Sequence, residues 1–140
     1  MKLHEILAIK GSDVHSIHPD ATLADVVDKL VEVNCGSLLV CEDEQMVGII
    51  TERDILRACS MRKVLGETSV RGVMTSNVVT SKPSDDIGTV MGLMTDHRIR
   101  HLPVLDDGKL VGMISIGDLV KSQHVQLEVE NHYLKNYIQS

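Results

Sequence analysis

Two stretches decide the fold of this chain: GIITERDIL, residues 48–56, and GMISIGDLV, residues 112–120. In each, an apolar run ends at a hydroxyl residue, Thr51 or Ser115, and an aspartate follows three residues later. This order predicts a buried strand that runs directly into a helix, with the hydroxyl residue and the aspartate forming a capping box. The stretches lie 64 residues apart, which indicates an internal repeat.

The repeat extends over most of the chain without a gap. Identical residues that share the 64-residue spacing include Pro19 and Pro83, Val40 and Val104, Asp43 and Asp107, Gly48 and Gly112, and Asp54 and Asp118. The apolar positions coincide as well, and chance would not keep proline, glycine and aspartate in step with them. Each copy is therefore expected to form the same supersecondary unit.

Each unit is predicted to contain a strand, a helix, two strands and a second helix. The opening strands are expected at residues 14–17 and 78–81, and Thr22 is the expected N-cap of the helix after the first of them. In the second copy, Asp107-Gly108 lies between two apolar runs, which is a strong signal for a tight hairpin turn.

One such unit has too few residues for an independent core, so two units are expected to bury their sheet faces against each other. The expected fold is α+β, with the two units packed as a pseudo-twofold pair. We predict a first domain over residues 1–62, a second over 63–122 and a C-terminal helical extension over 123–140. Residues 60–70 are the predicted linker, and residues 121–140 form an extended helix that lies over the module or makes a dimer contact.

Composition excludes several classes of function. The 140 residues include 14 basic and 20 acidic ones, and the net charge of −6 argues against a general nucleic-acid surface. The chain has no Trp or Phe, so it lacks a stacking platform for single strands. Three cysteines without a CxxC spacing fit a reducing compartment, and no apolar run is long enough to cross a membrane. We expect a cytoplasmic protein without nucleic-acid or membrane partners.

Five motifs, in this order, match a known family. They are VHSIHPDATLADV (14–26), GIITERD (48–54), MTSNVVTSKP (74–83), IRHLPV (99–104) and GMISIGD (112–118). Over roughly residues 3–122 the chain resembles a tandem pair of cystathionine-β-synthase (CBS) domains, often called a Bateman module, of the stand-alone signal-transduction type. The resemblance implies a sensor that binds adenine nucleotides in the cleft between two β-α-β-β-α domains, that commonly pairs into a homodimer, and that has no catalytic chemistry.

The resemblance also implies which residues bind the ligand. The family's aspartate holds ribose and its Thr or Ser lies near phosphate, and unpaired N–H groups at a helix start attract phosphate. The aspartate of one unit works with segments of the other. The main cleft is therefore expected to contain Thr51, Arg53, Asp54, Met74, Thr75, Asn77, Val78, Val79, Ile99, Arg100 and His101. Its cations, from separate segments, favour one or more phosphates.

The second, weaker cleft has a less basic set of residues. It is expected to contain Lys10, Asp13, Val14, His15, Cys35, Gly36, Ser37, Ser115 and Asp118. Only Lys10 and His15 offer positive charge there. Three alternatives stay open for it: the nucleoside end of a ligand, part of a dinucleotide such as NAD, and no ligand.

The leading hypothesis is a regulatory module that senses AMP, ADP or ATP and signals to a partner protein. One alternative is a sensor of NAD(H) or S-adenosylmethionine, and another is a structural dimerisation module whose clefts are vestigial. An enzyme is not expected, because the sequence has no nucleophile–base pair and no GxxxxGK[ST] loop. No metal site or catalytic cofactor is expected either, because the spaced histidine pairs lack the helical placement of metal ligands.

Overall fold

The computed structural model describes residues 1–139 as a mixed α+β fold with five helices and two small sheets, which confirms the predicted fold class. Two short 3-10 turns, Leu65–Glu67 and Val70–Gly72, lie between the two copies of the repeat. The helices and strands are, in chain order, α1 (Leu3–Lys10), β1 (Ser16–Ile17), α2 (Leu23–Val33), β2 (Ser37–Glu42), β3 (Gln45–Thr51), α3 (Glu52–Ser60), α4 (Ile87–His97), β4 (His101–Asp106), β5 (Lys109–Ser115) and α5 (Ile116–Gln139).

The chain forms two compact units, one of which is a continuous stretch of sequence while the other combines the two ends of the chain. The first-repeat unit is Asp13–Val79, and the second-repeat unit is Met1–Ser12 together with the chain from Thr80 onward. The segment that precedes each repeat therefore packs with the other repeat. The predicted domain limits at residues 62 and 122 divide the sequence differently from these units.

In the first-repeat unit, α2 and α3 cover a three-stranded sheet in the order β1-β2-β3. Thr22 caps α2 as predicted: its hydroxyl accepts from the Asp25 N–H at 3.2 Å, and its own N–H donates to the Asp25 carboxylate at 2.9 Å. The cap stabilises the helix start, while an aliphatic cluster buries its inner face. That cluster consists of Leu23, Val26, Leu30, Leu38, Val40, Ile50, Ile55, Ala58 and Val70.

Residues with positive φ close both hairpins. Asp43 and Glu44 have φ of 52° and 65° between β2 and β3, and Asp107 and Gly108 have 49° and 78° between β4 and β5. Two successive positive φ values define the turn whose twist matches that of the strands. The hairpin predicted from Asp107-Gly108 is confirmed.

The predicted opening strand at residues 78–81 is wrong. Only Ser81 pairs, through one parallel bridge to Val104, whereas the corresponding β1 pairs with β2 over two residues. The cause is Pro103, which stands where the first copy has Leu39. The Leu39 N–H donates to the His15 carbonyl at 3.1 Å, and proline has no N–H to make the equivalent bond.

The second-repeat unit gains an N-terminal helix that the sequence analysis did not predict. Leu3 and Ile6 of α1 are buried. The Leu3 N–H donates to the Asp85 carbonyl and the Ile87 N–H to the Met1 carbonyl, each at 3.0 Å. These bonds attach α1 to the start of α4.

Residues 60–70, the predicted linker, end inside the first-repeat unit instead of forming a free connection. Val70 is fully buried, and its N–H donates to the Ala21 carbonyl at 2.9 Å. The Leu23 N–H donates to the Thr68 carbonyl at 2.9 Å. This segment therefore attaches to the start of α2 as α1 attaches to the start of α4.

The predicted C-terminal extension continues α5 without a break from Ile116 to Gln139, and residue 140 lies outside the described residues. Its apolar side chains are mostly exposed, including Val125, Leu127 and Leu134 at 51%, 62% and 60%. None of the helices within residues 1–139 combines the length and the apolar character that crossing a membrane requires.

Candidate functional site

Thr51 and Asp54 form the predicted capping box where β3 passes into α3. The Thr51 N–H donates to Asp54 Oδ2 at 2.9 Å, and the Thr51 hydroxyl donates to the same oxygen at 3.2 Å. The Asp54 side chain is held in place and only 9% of the residue is exposed. The strand and the cap together fix one carboxylate just beyond the end of β3, with both bonds on one of its oxygens.

Ser115 and Asp118 form the equivalent box where β5 passes into α5, and Lys10 joins it. The Ser115 N–H donates to Asp118 Oδ2 at 2.9 Å, and the Asp118 N–H donates to Ser115 Oγ at 3.1 Å. Lys10 Nζ donates to the same Asp118 oxygen and to the Met113 carbonyl, each at 2.7 Å. Three residues predicted for the second cleft, Lys10, Ser115 and Asp118, thus lie together in one unit.

Lys10 and Ser115 make Asp118 more acidic than a free aspartate. Burial by itself raises the pKa of the Asp118 carboxyl. The hydrogen bonds from Lys10 and Ser115, with the charge of Lys10, outweigh burial and hold this pKa below its ordinary value. The folded chain therefore stabilises the ionised form of the Asp118 carboxyl more than the unfolded chain does.

Acid is expected to remove this contribution to stability. A group with a lowered pKa stabilises the fold above its unfolded pKa of about 4 and loses that effect as pH falls through its folded pKa. Asp118→Asn is expected to cost about 1 kcal/mol at pH 7 and nothing at the lowest pH. Urea unfolding between pH 7 and 2.5 measures the difference. Asp107→Asn, in an exposed turn, is the control, and a pH-independent cost for Asp118→Asn contradicts the assignment.

The first amides of α3 and α5 are bonded within the protein, which removes these two N–H groups from the helix-start amides that were expected to bind phosphate. The Glu52 N–H donates to the Gly36 carbonyl at 3.0 Å, and the Ile116 N–H donates to the Arg100 carbonyl at 2.9 Å. The Thr51 and Ser115 amides bond to their own aspartates, as described above. None of these four amides is therefore free to bind a phosphate.

Met74 and Thr75 lie beside β3, close to the Thr51 cap. The Ile49 and Thr75 N–H groups each donate to the other's carbonyl at 2.9 Å. Gly48 permits this approach, because a Cβ there would lie 2.8 Å from the Thr75 carbonyl oxygen and 2.7 Å from the Met74 sulfur. Sequence reasoning did not assign Gly48 a role, although a glycine inside a strand signals a close backbone approach.

Gly48→Ala is expected to separate the Met74–Thr75 segment from β3. The added methyl group meets a backbone carbonyl that cannot rotate away, so we expect a loss of about 1–3 kcal/mol. Hydrogen exchange at the Thr75 amide is expected to accelerate. Gly112→Ala is the matched control, because its Cβ would meet only the flexible tip of Leu7 at 2.7 Å. Equal losses for the two variants would contradict this account.

The structure distributes the other predicted site residues between the two units. Ile99, Arg100 and His101 belong to the second-repeat unit, whereas the remaining main-cleft residues belong to the first. Arg53, Thr75, Asn77 and Arg100 are exposed, and Met74, Val78, Val79, Ile99 and His101 are half-buried. Of the second set, Asp13 is exposed, Ser37 is buried, and Val14, His15, Cys35 and Gly36 are half-buried. The grouping of residues across the units stays a prediction from the resemblance.

A surface pocket of about 550 Å3 lies beside the β4–β5 turn, and none of its lining residues, which include Ser81 and Lys82, belongs to either predicted cleft. Within residues 1–139, no three His, Cys, Asp or Glu side chains are placed to hold a metal ion.

Comparison with known proteins identifies both repeats. The family model described as CBS domain matches residues 7–60 and 70–124. A mitochondrial CBS domain-containing protein of Arabidopsis thaliana is 38% identical in an alignment of 126 positions that covers 86% of this chain and 61% of the plant protein. The chain therefore spans less than two thirds of that relative's length.

Two solved structures of CBS domain proteins, in contrast, match this chain over most of their length. A protein from Burkholderia ambifaria MC40-6, described as a putative signal-transduction protein with CBS domains, is 40% identical. It has a TM-score of 0.85, with 87% of this chain and 93% of that chain covered. A CBS domain protein from Pyrobaculum aerophilum, solved in complex with AMP, is 27% identical with a TM-score of 0.80, and 94% and 99% of the two chains are covered.

Proposed function

Because this chain belongs to the CBS domain family, we propose that it is a regulatory module that binds an adenine nucleotide, AMP, ADP or ATP, and signals the bound state to a partner protein. The ligand has its ribose at Asp54 and its phosphates near Arg53, Arg100 and His101. Binding acts on the partner through the difference in affinity of two conformations for the nucleotide. We also propose that the chain acts on a separate partner protein and that it does so in the cytoplasm.

The observation that carries the proposal is the state of the Asp54 carboxylate. It is buried at 9% exposure, yet within the first-repeat unit no described lysine or arginine forms a salt bridge with it. Both hydrogen bonds from Thr51 fall on Oδ2, so Oδ1 lies outside the capping box. A carboxylate held this way suits a vicinal diol, which donates two bonds to carboxylate oxygens.

The charges of the predicted main set support a phosphorylated ligand. Arg53 and Arg100 are exposed, so their guanidinium groups can rotate toward an anion. A guanidinium matches phosphate oxygens with two parallel hydrogen bonds, which a lysine cannot do. The relative from Pyrobaculum aerophilum that was solved with AMP gives independent support for a nucleotide.

We propose binding without catalysis. The sequence offers no recognisable nucleophile–base motif and no GxxxxGK[ST] loop beside the predicted main-cleft residues, and a transferase or hydrolase needs such chemistry. The ligand then enters no reaction and serves as a signal. A homodimer is part of the proposal, since α5 exposes the apolar side chains of Val125, Leu127 and Leu134 along a solvent-facing helix.

Thermal unfolding of ligand-free protein tests the function. A ligand at about 100 times its Kd stabilises the folded state by about 2.7 kcal/mol, which raises the Tm by several degrees. We expect AMP, ADP and ATP to raise the Tm, with smaller effects of NAD and S-adenosylmethionine. A larger shift with NAD or S-adenosylmethionine would favour those ligands. No shift with any of the five would favour a structural dimerisation module.

A further inference from the structure

The second-repeat unit has a lysine where the first-repeat unit has a methionine. Lys10 lies 64 residues before Met74, so the two hold equivalent positions in the repeat. Met74 packs its sulfur near Gly48. Lys10 instead reaches the start of α5, where Nζ donates to Asp118 Oδ2 and to the Met113 carbonyl, each at 2.7 Å. One repeat therefore has an apolar side chain where the other has a cation bound to its aspartate.

The contact between Lys10 and Asp118 is partly shielded from water. The two side chains are 32% and 24% exposed. Asp118 Oδ2 also accepts the Ser115 N–H, so the oxygen that Lys10 contacts already has a second donor. An ion pair with this geometry is stronger than a fully exposed one, because less solvent screens its charges.

We propose that Lys10 is a specificity-determining residue that closes the Asp118 site to ligands with a vicinal diol, so that each chain binds one adenosine-type ligand, at Asp54. The inference rests on the proposed function, in which the aspartate is the ribose acceptor. A diol that bonds both oxygens of the Asp118 carboxylate must displace the Lys10 ammonium from Oδ2. At Asp54 only Thr51 donates from within the unit, and a diol displaces no cation of that unit.

Lys10 could instead bind the phosphate of a ligand in the Asp118 site, and this role predicts a different number of ligands per chain. If Lys10 left Asp118 to bind a ligand phosphate, removal of its charge would weaken a second binding event. In the occluding role, removal of the charge creates that event. The number of ligands bound per chain distinguishes the two roles.

Calorimetric titration of ligand-free protein with AMP and with adenosine tests the inference. The wild type is expected to bind one AMP per chain, and Lys10→Met, which copies the first repeat, is expected to bind two. Lys10→Arg keeps a cation and is expected to bind one. The reciprocal change Met74→Lys places a cation beside the Asp54 site and is expected to weaken AMP binding at least tenfold. Adenosine is expected to show the same gain of a second event in Lys10→Met.

Lys2→Met is the matched control for loss of a lysine beside α1. Lys2 forms a salt bridge with Asp86 at 2.9 Å in the same unit but lies outside both predicted clefts. The Lys2→Met variant is expected to bind one AMP per chain with the affinity of the wild type. Circular dichroism confirms that each variant is folded before titration.

Other titration results would contradict either the inference about Lys10 or the proposed function. If the wild type and Lys10→Met both bind one AMP with equal affinity, the inference fails and the proposed function stands. If the wild type binds two and Lys10→Met binds one, Lys10 serves the ligand and does not exclude it. If neither protein binds AMP or adenosine, the proposed function fails and the inference fails with it.

Discussion

Val70→Asp is expected to unfold the first-repeat unit or to lower its free energy of unfolding by at least about 3 kcal/mol. Val70 is fully buried in the aliphatic cluster beneath α2 and α3. A carboxylate at this position has no cation or donor to replace the water it loses, and the methyl contacts of valine are lost as well. Urea unfolding followed by circular dichroism measures the change.

Val64→Asp is the control for this substitution. Val64 lies in the same stretch that the sequence suggested as a linker, but its side chain is 57% exposed. A charge there remains in water, so the expected change lies within about 0.5 kcal/mol. Similar small effects for both variants would show that residues 60–70 are a free linker after all.

Asp54→Ala is expected to weaken AMP binding at least about 100-fold. Each hydrogen bond to a charged group contributes about 1.5–3 kcal/mol, and the proposed ribose contact has two of them. Equilibrium dialysis with labelled AMP measures the loss. The variant also loses half of a capping box, so we expect a cost of about 1 kcal/mol in stability, which leaves the unit folded.

Asp118→Ala is the matched variant for the binding assay. It removes the equivalent carboxylate and the equivalent cap from the second repeat. AMP affinity is expected to change by less than about threefold, because Lys10 already occupies that carboxylate. Loss of binding in Asp118→Ala alone would mean that the two sites have been ranked in the wrong order.

Local signals in the sequence predicted the local structure correctly. Thr22 with Asp25 caps a helix, and Asp107-Gly108 closes a hairpin, because each rests on bonds or dihedral angles within four residues. The missing strand at 78–81 was also within reach of the sequence. Pro103 stands at the position of Leu39, and a proline cannot supply the bond that Leu39 makes.

Long-range placement was harder to predict. The apolar residues of α1 fit a short helix, but periodicity does not show that Leu3 packs with the second repeat. For the same reason, the sequence did not show that Val70 is buried in the first repeat, since the two repeats have similar patterns of apolar residues. The resemblance to the family was needed to group Lys10 with Asp118, which are 108 residues apart in sequence.

The capping boxes show why a structural role and a binding role can share residues. Thr51 and Asp54 stabilise a helix start, and the same bonds fix the carboxylate at the end of β3. The sequence predicted that fixed position. It did not show that the Glu52 amide is occupied by the Gly36 carbonyl, because that bond depends on the loop before β2. That amide is therefore excluded as a phosphate contact, and we assign the phosphates to the Arg53 and Arg100 side chains.

Calorimetric titration of the ligand-free wild-type chain with AMP tests the central claim most directly. Ligand-free protein is obtained by unfolding, dialysis and refolding, and its absorbance spectrum verifies that no nucleotide remains. The account predicts one saturable event with about one AMP per chain. Absence of heat with AMP, together with no change in Tm at high AMP concentration, would contradict the claim that this chain is an adenine-nucleotide sensor.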